Sequence, residues 1–121
     1  MDKSAPTRRV IGWLQAFERS LAARDVPATL ALFSDKECFW RDIVSFTWNI
    51  KTTEGKDQIT AFLAATLAST RPGNFRIEGE AREADGVTEA RFTFETQAIR
   101  GQGMLRLKGE SCWTILTSAT A

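Results

Sequence analysis

The chain has 121 residues, of which 43% are hydrophobic and 26% charged, the composition of one globular domain spanning residues 1–121. Sixteen basic against fifteen acidic residues leave a net charge of +1. Neither sign forms a run, which argues against a nucleic-acid or membrane-surface partner. The sequence has no apolar stretch long enough for a membrane span and opens without the apolar core of a secretion signal, so we expect a cytoplasmic protein.

Three segments carry the apolar spacing of amphipathic helices. The first covers about residues 7–24, and its apolar stripe consists of Val10, Trp13, Leu14, Phe17 and Leu21. A short second helix is predicted at residues 28–33, because Asp25 and Pro27 form a cap and a first-turn proline. The third covers about residues 56–69, with a stripe of Ile59, Phe62, Leu63, Thr66 and Leu67.

The remaining segments follow the two-residue period of β-strands. The first strand is predicted over residues 38–49, and its alternation places on one face Trp40, Asp42, Val44 and Phe46. From residue 75 onward, an Asp85-Gly86 hairpin and turns at Gly101 and Gly109 divide a meander of about four strands. Helices first and antiparallel strands afterwards predict an α+β fold, with the helices on one face of a curved sheet.

Asp42 is the candidate catalytic residue, because it would stand in a row of large apolar side chains. Poor solvation would raise the pKa of its carboxyl group and favour proton transfer. In the alternative interpretation Asp42 is structural, either paired with Arg91 or Arg76 or capping the turn near Thr47. The chain contains no His and no Tyr, so neither the commonest general base nor a phenol donor would assist it.

Four motifs carry a resemblance to a known superfamily. They are Trp40-Arg41-Asp42, Phe46-Thr47-Trp48-Asn49, Thr53-Glu54-Gly55 and Trp113-Thr114-Ile115-Leu116-Thr117. With the order of the elements, they resemble the NTF2-like superfamily of SnoaL-like cyclases and ketosteroid isomerases, and most specifically the NTF2-like segment that precedes some flavin-dependent monooxygenases. The resemblance implies a cone in which three N-terminal helices pack on a curved, mostly antiparallel sheet around a central pocket. It also implies dimerisation through the outer sheet surface.

The resemblance bears on the chemistry as well. The steroid isomerases of this superfamily have an acid on the strand after the second helix, where Asp42 is the nearest acidic match, but the tyrosine that holds their oxyanion is missing here. No flavin or nicotinamide is expected, because Gly101-Gln102-Gly103 begins a glycine pattern whose third position holds Arg106. We therefore expect no cofactor and, without His or clustered carboxylates, no metal.

Six further residues are candidates for contacting a ligand, namely Trp13, Phe17, Trp40, Arg41, Trp48 and Asn49. Trp13 and Phe17 belong to a helix stripe that is usually core, with the lining of a pocket as the alternative. Arg41 would anchor an anionic group or pair with a glutamate such as Glu95. Asn49 would donate to a ligand carbonyl or satisfy a turn. The aromatic content predicts a small, flat and largely hydrophobic ligand.

Two functions from different classes follow. The leading hypothesis is a small-molecule-binding protein with an apolar pocket, which in a catalytic form would be a cofactor-free isomerase, cyclase or hydrolase using Asp42. The alternative is a non-catalytic dimerisation or accessory module associated with a flavin-dependent monooxygenase. Trp113 and Ile115 suggest an exposed apolar sheet face, so a homodimer is expected. Cys38 and Cys112 match no metal or redox spacing and are expected to be buried thiols, with a disulfide or a reactive thiol as the alternative.

Overall fold

Three helices and six strands form the part of the chain that the structure describes. The structure is a computed structural model, and it describes residues 5–47 and 49–120. The helices are α1 (Ala5–Ala22), α2 (Val26–Leu30) and α3 (Gly55–Thr70). The strands are β1 (Phe39–Ile43), β2 (Ile50–Glu54), β3 (Gly73–Ala84), β4 (Val87–Glu95), β5 (Arg100–Lys108) and β6 (Ser111–Ala119).

The six strands form one mixed sheet in the order β2-β1-β6-β5-β4-β3. Every neighbouring pair is antiparallel except β1 and β6, which run parallel. β1 therefore lies inside the sheet, while β2 and β3 form its two edges. The predicted α+β fold is confirmed, with three helices and a mostly antiparallel sheet.

Each long helix buries the stripe that its spacing predicts. The buried side chains of α1 are Val10, Trp13, Leu14, Phe17, Ser20 and Leu21, and those of α3 are Ile59, Phe62, Leu63, Thr66, Leu67 and Thr70. α2 is shorter than expected, but its cap is the predicted one, since the Asp25 carboxylate accepts a hydrogen bond from the Ala28 amide at 3.1 Å. α1 packs on β3, and α3 packs on β2 and α2.

Aromatic side chains fill the space between the helices and the sheet, and we call them the aromatic core. They are Trp13, Phe17, Phe33, Trp40, Phe46, Phe62, Phe75, Phe92 and Phe94. Neighbouring ring centroids lie 4.7 to 6.3 Å apart, the range of favourable aromatic contacts. The Trp40 ring is central, because it contacts the rings of Phe17, Phe33, Phe46 and Phe62.

Two glycines of β5 make room for this core. We expected a turn at Gly101, but the residue lies within β5 opposite Phe94. Gly103 likewise lies opposite Phe92. A Cβ at Gly103 would fall on the Phe92 ring and on the carbonyl oxygen of Leu116. The glycines therefore accommodate phenylalanine rings from the neighbouring strand, an arrangement that supports glycine within a sheet.

The predicted strand over residues 38–49 is wrong beyond Ile43. β1 ends there because Val44 adopts a left-handed conformation, with φ of 56°, and the chain turns back. It returns as β2, which the sequence pattern did not predict and which pairs antiparallel with β1 along its whole length. Trp40 and Asp42 are both buried, as the alternation predicts, whereas Val44 is exposed.

We predict that Gly103→Ala lowers the free energy of unfolding by about 1–3 kcal/mol, because the added methyl group overpacks the Phe92 ring. Gly12→Ala is the matched control, since Gly12 lies within α1 with open space around it, and alanine there should raise stability by about 1 kcal/mol. Urea denaturation of both variants measures the difference. Equal effects of the two substitutions would contradict this account of β5.

Candidate functional site

The Asp42 carboxylate lies in the interior of the protein. The residue is 0% exposed. In the register of the sheet it lies between Lys51 of β2 and Thr117 of β6. Because an unpaired buried charge is strongly unfavourable, a carboxylate at this depth must have hydrogen-bond donors around it.

The turn that follows β1 supplies most of these donors. The amide groups of Ser45, Phe46 and Thr47 donate to the carboxylate oxygens at 3.3, 3.0 and 2.9 Å. The hydroxyl group of Ser45 also donates, and the hydroxyl oxygen of Thr47 lies 3.3 Å from Asp42 Oδ2. We call residues 44–47 the Asp42 turn. Of the two structural interpretations considered for Asp42, the turn cap is the one whose hydrogen bonds are formed.

Thr117 joins the same carboxylate to the aromatic core. Its hydroxyl donates to Asp42 Oδ1 at 2.6 Å and accepts from Trp40 Nε1 at 2.9 Å. The indole N–H of Trp40, the hydroxyl of Thr117 and the carboxylate of Asp42 are all buried, and each has a hydrogen-bond partner within this group. These three residues form one polar network that ties β1 to β6.

Val44 carries backbone strain in this arrangement. Its φ of 56° lies in a region that β-branched residues rarely occupy, and its side chain is 37% exposed. The Val44 amide donates to the carbonyl oxygen of Asn49 at 3.1 Å, and the following amides bind Asp42. The hydrogen bonds to the carboxylate thus offset a strain of about 1–3 kcal/mol.

The two arginines considered as partners of Asp42 lie elsewhere. Arg91 pairs in register with Glu78, and Arg76 with Thr93, at exposed positions of β4 and β3. Phe92, next to Arg91, points inward, so both arginines lie on the outer face of the sheet. Within residues 5–47 and 49–120, the ion pairs involve other carboxylates.

The aromatic ligand candidates lie within the aromatic core. Trp13, Phe17 and Trp40 are 5%, 0% and 1% exposed. The Trp13 Nε1 donates to the carbonyl oxygen of Leu32 at 3.0 Å. In this structure the three rings pack against protein side chains, so their contact with a ligand stays a prediction.

The polar ligand candidates lie at the surface. Arg41 is exposed on the outer face of β1, and β6 and β5 separate it from Glu95 on β4. Asn49 is exposed, and its backbone closes the turn by accepting from the Thr47 hydroxyl at 2.8 Å. Trp48 lies outside the described residues.

A groove of about 400 Å³ opens between β2 and α3, beside the Asp42 turn. We call it the β2–α3 groove. Phe62 of the aromatic core lines it, and Lys51 and Gln58 contribute polar groups. Sequence reasoning missed Lys51 as a groove residue because the first strand was extended to residue 49 and no separate strand was predicted after it. The available signal was the β-branched pair Thr52-Thr53, which favours a strand.

The cysteines offer no reactive group. Cys38 and Cys112 are buried free thiols, which confirms the expectation. Burial raises the pKa of both thiols, with the larger effect on Cys112, so each is held in its unreactive neutral form.

The described residues contain neither a metal-binding cluster nor a membrane-spanning helix. Among them, no cluster of three or more His, Cys, Asp or Glu side chains could bind a metal ion. None of the helices in the same part of the chain is long and apolar enough to span a membrane.

Solved structures share this fold at low sequence identity. A ketosteroid isomerase-like protein from Erwinia carotovora atroseptica has a TM-score of 0.67 at 17% identity, covering 98% of this chain and 96% of that chain. The RV0760c protein from Mycobacterium tuberculosis, in complex with estradiol-17beta-hemisuccinate, has a TM-score of 0.62 at 17% identity, covering 90% and 92%. An NTF2-like protein from Cytophaga hutchinsonii has a TM-score of 0.58 at 10% identity, covering 89% and 87%. No family model and no curated protein matches the sequence.

We predict that Asp42→Asn lowers the free energy of unfolding by about 2–3 kcal/mol, because the amide nitrogen faces donors and the charge-assisted hydrogen bonds are lost. Asp85→Asn is the control, since Asp85 is exposed in a hairpin at positive φ, where asparagine is equally suited. Thermal or urea unfolding measures both. An Asp42→Asn variant as stable as the control would show that the carboxylate does not hold the turn.

Proposed function

Because the chain has the NTF2-like fold, we propose that it binds a small, flat and largely apolar molecule, and that the β2–α3 groove receives it. The observation that carries the proposal is that the groove meets the aromatic core. Phe62 lines the groove, and its ring centroid lies 5.1 Å from that of Trp40 and 5.8 Å from that of Phe46. A cavity of this size with an aromatic wall and a few polar groups is typical of small-molecule sites.

The comparison with solved structures supports the same class of ligand. The RV0760c protein has this fold and was solved in complex with estradiol-17beta-hemisuccinate, which combines a flat apolar ring system with a polar tail. Only the class of ligand is carried over, because the sequence identity between the two chains is 17%.

The catalytic version of the hypothesis assigns proton transfer to Asp42, and it requires a carboxylate oxygen that is free to take up a proton. Each carboxylate oxygen already accepts at least three hydrogen bonds from protein donors. Proton transfer would therefore require the Asp42 turn to open first. We propose binding without proton transfer by Asp42, whose part is to hold the turn beside the groove.

A second candidate function is a non-catalytic dimerisation or accessory module. The half-buried apolar side chains of Ile43, Met104 and Leu116 line a hollow of about 320 Å³ on the outer face of the sheet. Glu78 and Arg91 lie beside it with opposite charges. An apolar patch with charges of both signs suits a second copy of the chain or the monooxygenase partner implied by the resemblance.

The apolar groups of this outer face differ from those expected. Ile115 is 2% exposed and belongs to the core. The Lys108 ammonium lies 3.9 Å from the centroid of the Trp113 ring and covers it. A register shift between Arg106 and Leu107 displaces Trp113 from the simple alternation of β6. Met104 and Leu116 take the place of Trp113 and Ile115 in the hypothesis of a homodimer.

We predict that flat neutral aromatic fragments, such as 2-naphthamide, bind saturably and shift the amide NMR signals of β2 and α3. Ala65→Leu should abolish this binding, because Ala65 lines the groove and a larger side chain would fill it. Ala64→Leu is the matched control, a neighbouring exposed alanine of α3 that does not line the groove. Binding that survives Ala65→Leu would locate the site elsewhere, and an absence of saturable binding would contradict the proposed function.

We also predict that the protein sediments at micromolar concentration with twice the mass of one chain. Leu116→Glu should convert it to a monomer, because a charge on the outer face would lose solvation in the interface. Ile11→Glu is the control, since Ile11 is 38% exposed on α1. A monomeric mass for the unmodified chain would exclude the homodimer.

A further inference from the structure

We propose that the ligand of the β2–α3 groove is an organic anion, a carboxylate on one or two fused rings, and that Lys51 binds its carboxylate group. The inference rests on the proposed ligand-binding function. It adds the charge of the ligand and the residue that recognises it.

Lys51 is a cation whose nearest carboxylate in the sheet register is already occupied. In the register of β1 and β2 the backbone of Lys51 lies opposite that of Asp42. The oxygens of Asp42, however, accept hydrogen bonds from the Asp42 turn and from Thr117. Lys51 is exposed and, within the described residues, forms none of the ion pairs. Its ammonium group is therefore available to a ligand in the groove that it lines.

Gln58 adds a second donor to the groove. Its Oε1 accepts a hydrogen bond from the Glu54 amide at 2.8 Å, which orients the side chain and leaves the amide nitrogen to donate. The hydroxyl groups of Thr53 and Thr66 donate to carbonyl oxygens of Trp40 and Phe62 at 3.0 and 2.8 Å. Those two hydroxyl protons are therefore already committed to the backbone.

Lys51 and Gln58 thus both offer donors to the groove, and the ligand group that complements them is an acceptor. A carboxylate has acceptors only and carries the charge opposite to that of Lys51. An alcohol or amine would leave this pair of donors less well matched.

The rest of the groove accommodates a flat apolar body. Ala61 and Ala65 lie one turn apart on α3 and both line the groove, so the small side chains leave space between the helix and β2. Phe62 offers a buried ring, 3% exposed, that its aromatic neighbours hold in place. A ring of the ligand would pack against Phe62 while its carboxylate reaches Lys51.

The test compares 2-naphthoic acid with 2-naphthamide, which differ in charge but hardly in shape, by calorimetry or NMR titration. We expect the acid to bind more tightly than the amide at low salt, and this preference to shrink as salt is raised. Lys51→Gln should weaken binding of the acid about three- to fivefold and leave the amide unchanged, the effect of losing one exposed ion pair. Lys36→Gln, which removes an exposed lysine outside the groove, should change neither.

The outcomes separate this inference from the proposed function. Equal affinities for acid and amide, or a Lys51→Gln variant that behaves like Lys36→Gln, would overturn the anion assignment while ligand binding stands. Acid binding that Ala65→Leu does not reduce would overturn the location as well. If neither compound binds saturably, both the inference and the proposed function fail.

Discussion

The hydrogen bonds that converge on the Asp42 carboxylate hold several parts of the fold at once. The carboxylate accepts from the amides of Phe46 and Thr47 and so keeps the chain in the strained turn begun by Val44. It accepts from Thr117 and so joins β1 to β6 at the one parallel pairing of the sheet. Because the Thr117 hydroxyl also accepts a hydrogen bond from Trp40 Nε1, the same contact orients the central ring of the aromatic core. Since β2 begins at Ile50, a few residues after this turn, the position of the groove wall depends on the same charge.

The aromatic core fills the space between the helices and the sheet around Trp40. Rings from α1, α3 and the sheet meet around Trp40, and Gly101 and Gly103 leave room for the rings of Phe94 and Phe92 over β5. The β2–α3 groove lies at the margin of this core, where β2, an edge strand, meets the small residues of α3. The proposed ligand site is therefore a surface groove with an aromatic wall, to which Lys51 adds a positive charge.

Much of the fold could be predicted from the sequence, and much less of the site. The helix stripes of Trp13 and Phe62 repeat at the spacing of a helix, which is a local property that needs no knowledge of the partner. The burial of Asp42 followed from alternation within a strand. The alternation could not show where the strand ends, because a valine with positive φ is unfavourable on its own and is held by hydrogen bonds that form only once the chain has turned. Missing that turn meant missing β2, and with it Lys51.

The sequence by itself determined the three helices, every strand but β2 and the buried stripes of the two long helices, because hydrophobic periodicity is encoded within each element. Tertiary structure decided what the buried groups do. Asp42 meets Thr117 only because β1 pairs with β6, 75 residues away along the chain. Lys51 faces the groove only because the Asp42 turn brings β2 back beside β1. Partners so distant in sequence are set by strand pairing, and no local pattern contains that information.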